Sequence, residues 1–329
     1  MSGLAAGIRL AMFDQKVCIL ESHSIPGGLN SYYQRGKRKF DVGLHAMTNW
    51  TAKGSKGKPL SKLMKQLRIP YDQFQLIPQK QSSIRFPEHK LIFTNNIEDL
   101  IDEIQTSFPH QIDGFKKLIH FVERYDETNL KNTYTSAKKI VESFINDKTL
   151  LNMIFCPLMI YGSAWEHDMD FSQFAIMFKS IFLEGLARPS GGVRTIINLL
   201  SEKLEQQGLL VQYKSQVKKL HKDEHGITGL TLTSGAKITC RKVLSSAGYR
   251  ETLNLFESKQ EEDSRVTIGK MSFTESILIL DKKPKEFGIE DAIIFANNSH
   301  DYNYRNPKKL FDSNSAVLCF PNNFMIDEE

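Results

Sequence analysis

The first twenty-one residues alternate between apolar and polar blocks in a way that predicts one helix followed by one strand. Residues 1–11 are rich in Ala, Leu and Ile, which is typical of a packed helix. A polar break at Asp14-Gln15-Lys16 follows. The next run, Val17 to Leu20, is short and continuously apolar, as in a buried strand of a parallel sheet, and Glu21 ends it.

The middle of the chain has the pattern of a largely helical region. Residues 59–67 predict a short helix, and residues 83–93 predict a β-hairpin around a Pro87-Glu88-His89 turn. Asn96 can cap the next helix, because its side chain can accept a hydrogen bond from a first-turn N–H. A further helix follows, and its apolar stripe predicts core positions.

Residues 150–161 form the most apolar stretch of the sequence. The stretch is too short for a transmembrane helix, which needs about 20 apolar residues, and Pro157 interrupts it. The pattern favours a buried helix pair. The alternatives are a wall of a hydrophobic substrate tunnel and a patch that dips into a membrane surface.

The last third of the chain is mainly strand-like. A helix follows Gly191-Gly192 and ends near Gly208. The apolar runs beyond it predict strands at 209–213, 216–220, 226–232, 237–240 and 241–248, and, after the polar run Ser258 to Ser264, at 276–280, 292–295 and 316–320.

The helix, polar break, strand and acid at the start of the chain match the second half of a dinucleotide-binding βαβ unit. In the complete motif, G-x-G-x-x-G opens the helix, and an acid about 20 residues later binds the ribose hydroxyls. Gly3 takes the place of the third glycine, with Ser2 before it, and Glu21 takes the place of the acid. Ordinary α/β packing is the alternative, since it also needs small residues on a helix that precedes a strand.

Two further elements follow Glu21. The Gly27-Gly28 pair lets the backbone approach a ligand closely, and Phe40-Asp41-Val42-Gly43-Leu44-His45 offers a second close approach at Gly43. Asp41 is either a cofactor contact or a turn or cap residue. His45 is either a hydrogen-bonding residue of the fold or a group that tunes a cofactor.

The sequence resembles the phytoene desaturase, carotenoid isomerase and retinol saturase group of FAD-dependent oxidoreductases, within the superfamily of the flavin amine oxidases. The resemblance is carried by Leu20-Glu21, Pro26-Gly27-Gly28, Tyr32-Tyr33 and Phe40-Asp41-Val42-Gly43. It implies that Ser2, Gly3 and Glu21 bind FAD, Glu21 through the adenosine ribose. It further implies that the Gly27-Gly28 loop passes the pyrophosphate, and that Gly43 and His45 lie near the flavin ring.

The resemblance extends to the second half of the chain. It implies that the backbone of Val217 contacts adenine and that Ala247 and Gly248 are the small residues beside FAD at a strand end. Apart from the resemblance, Val217 is equally well interpreted as a strand core residue. The family's closing Pro-Gly segment beside the flavin is not found, and the first two fingerprint glycines would precede Met1. We therefore expect a segment truncated at both ends.

The order of these elements predicts an α/β protein in which a Rossmann-like FAD-binding domain is interleaved with an α+β substrate domain. We expect the FAD-binding domain in two parts, residues 1–70 and 189–255. The intervening residues 71–188 would form a mostly helical part of the substrate domain, and residues 256–329 its sheet.

Composition narrows the class of protein. The 329 residues include 40% hydrophobic and 25% charged residues, which excludes a disordered chain, a collagen-like fibre and a disulfide-rich miniprotein. The net charge of +5 is mild for this length and predicts no nucleic-acid binding. Cys18, Cys156, Cys240 and Cys319 are widely spaced, as expected of reduced and mostly buried thiols. With neither a signal peptide nor a transmembrane span, a cytoplasmic location is expected, with possible peripheral membrane contact.

Metal binding is not predicted. Residues 165–170 gather acids around His167, but no second cluster has ligand spacing, so this segment is interpreted as a helix cap. His221 and His225 do not share a helix face.

These observations predict an FAD-dependent oxidoreductase that acts on a C–C bond of a hydrophobic polyene or isoprenoid. No residue is assigned as catalytic, and no oligomeric state is predicted. The alternatives are a flavin amine oxidase-like enzyme, a prenyl-binding relative similar to the Rab GDP-dissociation inhibitors, and an inactive fragment.

Overall fold

The structure is a computed structural model that describes residues 1–257 and 268–324, so the polar run Ser258 to Ser264 and the acidic end of the chain lie outside the described residues. The helices are α1 Ser2–Ala11, α2 Pro59–Leu67, α3 Ile97–Ser107, α4 Ile112–Arg124, α5 Ala137–Glu142, α6 Lys148–Gly162, α7 Phe171–Phe178, α8 Val193–Gln206 and α9 Tyr249–Leu253. The strands are β1 Cys18–Leu20, β2 Tyr32–Arg35, β3 Arg38–Asp41, β4 Leu76–Pro78, β5 Ser82–Phe86, β6 His89–Phe93, β7 Ala187–Pro189, β8 Leu210–Gln212, β9 Val217–Asp223, β10 Gly226–Leu232, β11 Lys237–Thr239, β12 Ile293–Asn297 and β13 Ser315–Cys319. The α/β prediction is confirmed.

The chain divides into two compact units, each assembled from separated segments. Unit 1 comprises Met1–His45, Ser61–Gln75 and the described part of Gly191–Thr267. Unit 2 comprises Ala46–Leu60, Leu76–Ser190 and the described part of Ile268–Glu329. The four predicted domain boundaries stay a prediction.

Unit 1 contains a parallel pair of strands, which correspond to the strands predicted at 17–20 and 209–213. Strands β1 and β8 run parallel, with Cys18 opposite Leu210 and Leu20 opposite Gln212. Helix α1 contacts β1 and α8, and Ile8 of α1 is fully buried. The expectation that β1 is a buried strand is wrong: Cys18 is exposed, and Ile19 and Leu20 are half-buried, because β8 and α1 cover the strand only in part.

Two antiparallel elements complete unit 1. Strands β2 and β3 form a hairpin, and β9, β10 and β11 form a meander. Leu220, Leu230 and Leu232 are its buried core, and Leu20 and Val217 pack against them. The end of β1 therefore lies against the start of β9.

The strand predicted at 241–248 is wrong. Residues 241–248 are exposed, and among the strands that the structure describes none pairs with them. A strand needs a neighbour that supplies ladder hydrogen bonds, so apolar residues alone do not produce one.

Unit 2 has a four-stranded sheet in the order β13-β12-β5-β6. Strands β5 and β12 are parallel, and the outer pairs are antiparallel. Helices α3 to α7 belong to the same unit, whose fully buried aromatic side chains are Phe93, Phe115, Phe155, Phe171, Phe174, Phe178, Phe182 and Phe295.

Two local predictions in unit 2 are confirmed and one is wrong. The hairpin of β5 and β6 forms as expected, and the Asn96 side chain caps α3 by accepting the Glu98 N–H at 3.3 Å. The expected helix pair around Pro157 is instead one continuous helix, α6, with Pro157 inside it. Residues 150–159 are all buried, and this burial offsets the roughly 3 kcal/mol that an internal proline costs a helix.

The strand predicted at 276–280 is also wrong. These residues lie outside every strand, and Leu278 is 81% exposed. The neighbouring predictions at 292–295 and 316–320 correspond to β12 and β13, which pair with each other. The difference again follows from pairing, since the two confirmed strands form a ladder.

The last features of the fold are the state of the cysteine thiols and the length of the apolar helices. All four thiols are free, but only Cys156 is fully buried and Cys18 is exposed, so the expectation of mostly buried thiols is wrong. No helix within residues 1–257 and 268–324 is long and apolar enough to cross a bilayer.

Candidate functional site

The start of α1 presents free backbone donors. Its N-cap is Met1, no side chain caps it, and its first turn contains no acid. The first N–H groups of a helix have no partner within the helix, and the helix dipole makes this end attractive to anions. Ser2 and Gly3 supply donors here, and a Cβ at Gly3 would lie 3.2 Å from Ser246 Oγ. The segment that carries Ala247 and Gly248 therefore lies beside the helix start.

Glu21 stands at the end of β1, close to the same helix start. Its N–H donates to the Gln212 carbonyl at 2.9 Å, and its carboxylate accepts the His23 N–H at 2.8 Å. The amino group of Met1 lies near the Glu21 carboxylate. Burial lowers the pKa of this amino group, and the negative charge of Glu21 opposes that decrease. Glu21 is therefore held by backbone at the point where β1 meets α1.

Tyr213, which the sequence did not single out as a site residue, lies near Glu21. Burial raises the pKa of Tyr213, and Glu21, Tyr32 and Glu205 add to that increase. Tyr213 directly follows β8, which is the parallel neighbour of β1. Adjacent parallel strands end at the same edge of a sheet, so this position could have been found from the strand order.

The glycine pair and Gly43 come together in the structure. Gly27 is buried with φ +119°, and a Cβ there would lie 2.9 Å from the Ser31 Cα. A Cβ at Gly43 would lie 2.6 Å from the Leu29 carbonyl oxygen. Gly28 has open space where its side chain would be. The two glycine elements therefore form one surface of bare backbone, which any side chain at Gly43 would force apart.

Arg194, in the first turn of α8, fixes the hairpin between these glycine elements. Its guanidinium pairs with Asp41 at 3.4 Å and donates to the carbonyls of Tyr33 at 2.7 Å and Phe40 at 3.1 Å. It also stacks over the Tyr32 ring at 4.3 Å. Asp41 is buried at the end of β3 and pairs with Arg194.

The remaining predicted residues occupy different positions in unit 1. His45 is half-buried and ends the first segment of the unit. Val217 begins β9 and packs with Leu20 against the meander core. Ala247 is exposed, and Gly248 is the N-cap of α9 with φ +109°. The structure brings Ser2, Gly3 and Glu21 together and brings Gly27, Gly28 and Gly43 together.

The donor set fits a dinucleotide. An uncapped helix start suits a diphosphate, an acid at the end of a parallel strand suits ribose hydroxyls, and the open space at Gly28 leaves its backbone accessible to a ligand.

A metal centre finds no support in the described residues. They contain no group of three or more His, Cys, Asp or Glu side chains that could hold an ion. In the acidic segment, Asp170 caps α7 by accepting the Ser172 N–H at 3.0 Å, as the cap interpretation predicts.

Comparison with solved structures supports the fold. An oxidoreductase from Methanosarcina mazei superimposes with a TM-score of 0.59 at 16% identity, over 78% of this chain and 59% of the other. A protein from Pyrococcus furiosus gives a TM-score of 0.58, also at 16% identity and with the same coverage.

Curated relatives are found among plant proteins. The prolycopene isomerase of Arabidopsis thaliana, a chloroplastic protein, is 24% identical over 282 residues, and that of Daucus carota is 25% identical over 293 residues. These alignments cover 77% and 80% of this chain but 47% of each relative, so the chain spans about half the length of the relatives it matches.

The sequence profile described as "flavin containing amine oxidoreductase" matches residues 1–322. That description names a flavin, and the backbone donors of unit 1 suit a dinucleotide. Both observations indicate FAD as the cofactor. The chain belongs to the flavin-containing amine oxidoreductase family.

Proposed function

We propose that this chain forms part of an FAD-dependent oxidoreductase that acts on a C–C bond of a hydrophobic polyene or isoprenoid. The observation that carries the proposal is the convergence of Glu21, the uncapped start of α1 and the segment beside Gly3 in unit 1. These are the contacts that the ribose and diphosphate of a dinucleotide need.

Each predicted residue has a specific part in this proposal. Glu21 holds the ribose hydroxyls, the N–H groups of Ser2 and Gly3 bind the diphosphate, and the Gly27-Gly28 turn lets the backbone pass it closely. Val217 contacts adenine through its backbone, and Ala247 and Gly248 keep side chains away from the cofactor.

We assign the flavin end of the site to the segment that contains Gly43. Gly43 and His45 lie near the flavin ring, and Arg194 holds the hairpin that leads to Gly43. FAD supplies hydride transfer when bound, while the chain positions the ring and excludes water. No residue is assigned as a general base.

The substrate class rests on the relatives. The matched proteins are named prolycopene isomerases, and a hydrophobic substrate agrees with that name. A substrate of this kind also motivates a peripheral contact with a membrane. An inactive fragment is the alternative function.

FAD titration of the 329-residue chain tests the cofactor part. We expect the chain to quench flavin fluorescence and to shift the visible flavin bands. Replacing Glu21 by Gln should weaken binding by about 10-fold to 100-fold, since a hydrogen bond to a charged group contributes about 1.5–3 kcal/mol. Glu142→Gln removes the same charge from an exposed position of α5 in unit 2 and should change affinity by less than about threefold.

The outcomes separate the alternatives. A folded chain that neither quenches nor shifts the flavin spectrum would support the inactive fragment. Equal losses for Glu21→Gln and Glu142→Gln would show that Glu21 has no specific role. If FAD binds, turnover of a polyene but not of an amine would distinguish this proposal from an amine oxidase-like enzyme.

A further inference from the structure

Helix α4 of unit 2 carries a surface depression of about 550 Å³ that the proposed cofactor site does not use. It is lined by Lys116, Lys117, His120, Phe121, Arg124 and Phe144. The rings of Phe121 and Phe144 lie 5.4 Å apart, and Phe121 is 40% exposed. The surface therefore combines aromatic rings with cationic head groups.

The packing of α4 explains why these side chains face outward. Its opposite side is the buried stripe of Phe115, Leu118, Ile119 and Val122. A Cβ at Gly114 would collide with the Phe144 carbonyl, so the glycine lets the segment after α5 lie directly on α4. That contact brings Phe144 beside Phe121.

The charges of the lining have one sign. Lys116, Lys117 and Arg124 contribute three positive charges, and none of them forms an ion pair with the described residues. Asp113 and Glu123 are exposed on the same helix but do not line the depression. The cationic and aromatic side chains of the lining therefore match a partner that has negative charges at its surface and an apolar layer beneath them.

We propose that this α4 surface docks on an anionic phospholipid bilayer. Lys116, Lys117 and Arg124 bind lipid phosphates, and the Phe121–Phe144 pair enters the boundary between head groups and acyl chains. A bilayer fits better than an acidic protein because the patch is small and formed mainly by one helix. A stable protein interface buries about 1,200–2,000 Å². The inference rests on the peripheral membrane contact under the proposed function, but not on the cofactor.

Vesicle sedimentation of the 329-residue chain tests the docking surface. Binding is expected to vesicles of phosphatidylcholine with 30% phosphatidylserine, and not to phosphatidylcholine alone. Each lysine near an anionic membrane contributes about fivefold to binding, equivalent to about 1 kcal/mol, so Lys116→Gln with Lys117→Gln should weaken it about 25-fold. The matched control, Lys62→Gln with Lys65→Gln, removes the same charge from exposed positions of α2 and should change binding less than about twofold.

A second variant tests the aromatic part without changing charge. Phe121→Ser should weaken binding to the anionic vesicles while circular dichroism shows that the fold is retained. If the wild-type chain does not bind anionic vesicles, the proposal is overturned. This is the result expected of a surface that binds an acidic protein instead. Equal binding to neutral vesicles, or equal losses in the two lysine pairs, would overturn the proposal as well. FAD titration of the α4 variants should match wild type, so failure here is distinguishable from failure of the cofactor proposal.

Discussion

Unit 2 has a core of interlocking aromatic rings, whereas the buried core of unit 1 is mainly aliphatic and its glycine loops are fixed by close backbone approaches and by Arg194. In unit 2, Phe174 lies within 5.8 Å, between ring centroids, of Phe155, Phe171 and Phe178. In unit 1 the meander core consists of three buried leucines with partly buried neighbours. Ring packing therefore shapes the core of unit 2, whereas in unit 1 the absence of side chains at Gly27 and Gly43 shapes the loops of the proposed cofactor site.

The difference teaches where ligand binding can change stability. A ligand that binds only the native state stabilises that state, and it does so through the region that it contacts. The proposed FAD contacts all lie in unit 1. Three predictions test the contrast between the units.

The largest effect is expected from Phe174→Ala in unit 2. Phe174 is fully buried, and removing a buried aromatic ring typically costs about 3–5 kcal/mol of unfolding free energy. Urea denaturation followed by circular dichroism measures the change. Phe13→Ala removes the same ring from a 64% exposed position and should cost less than about 1 kcal/mol. Similar losses for both would mean that unit 2 does not depend on its aromatic core.

The second effect is expected from Arg194→Ala in unit 1. It leaves buried Asp41 without this partner and removes two hydrogen bonds to backbone carbonyls, so we expect a loss of about 2–3 kcal/mol. Amide hydrogen exchange should accelerate in the hairpin of β2 and β3 and remain unchanged in α6.

Arg194→Lys is the matched variant. Lysine keeps the charge but not the planar fork, so it should restore only part of the protection. Unchanged hairpin exchange in both variants would show that Arg194 does not hold the glycine elements in place.

The smallest effect concerns two buried groups of unit 2, a tyrosine hydroxyl and a cysteine thiol, which lose their protons only at alkaline pH. Burial raises the pKa of Tyr304 to about 12 and that of the Cys156 thiol to about 12. The unfolded chain loses these protons first, so the unfolding free energy should fall from about pH 9 to about pH 12. Tyr304→Phe should make that fall shallower in equilibrium unfolding measured across this range. Tyr33→Phe, on the exposed face of the hairpin, should leave the slope unchanged.

Local features of this fold were predictable from the sequence. The helix α1, the short strand β1 and the cap at Asn96 depend on neighbouring residues, and so does the turn at Gly27. Their signals are apolar periodicity, cap chemistry and glycine, which all act within a few residues.

Features that depend on distant partners were missed. Arg194 follows a Gly-Gly-Val run that gives no sign of its role. Only its hydrogen bonds to the hairpin, more than a hundred residues earlier in the sequence, show that it holds this hairpin. The false strand at 276–280 and the continuous α6 have the same origin, because pairing and burial are decided by the rest of the fold.

The exposed run Ser276 to Leu280 has a practical consequence for handling the protein. Its apolar residues Ile277, Leu278, Ile279 and Leu280 are between 42% and 81% exposed, which makes it a template for strand pairing between molecules. Glu275 and Asp281 flank it, and Lys282 and Lys283 follow. Charges at the ends of such a segment act as gatekeepers against aggregation, so solubility should depend on these four side chains more than on the overall net charge.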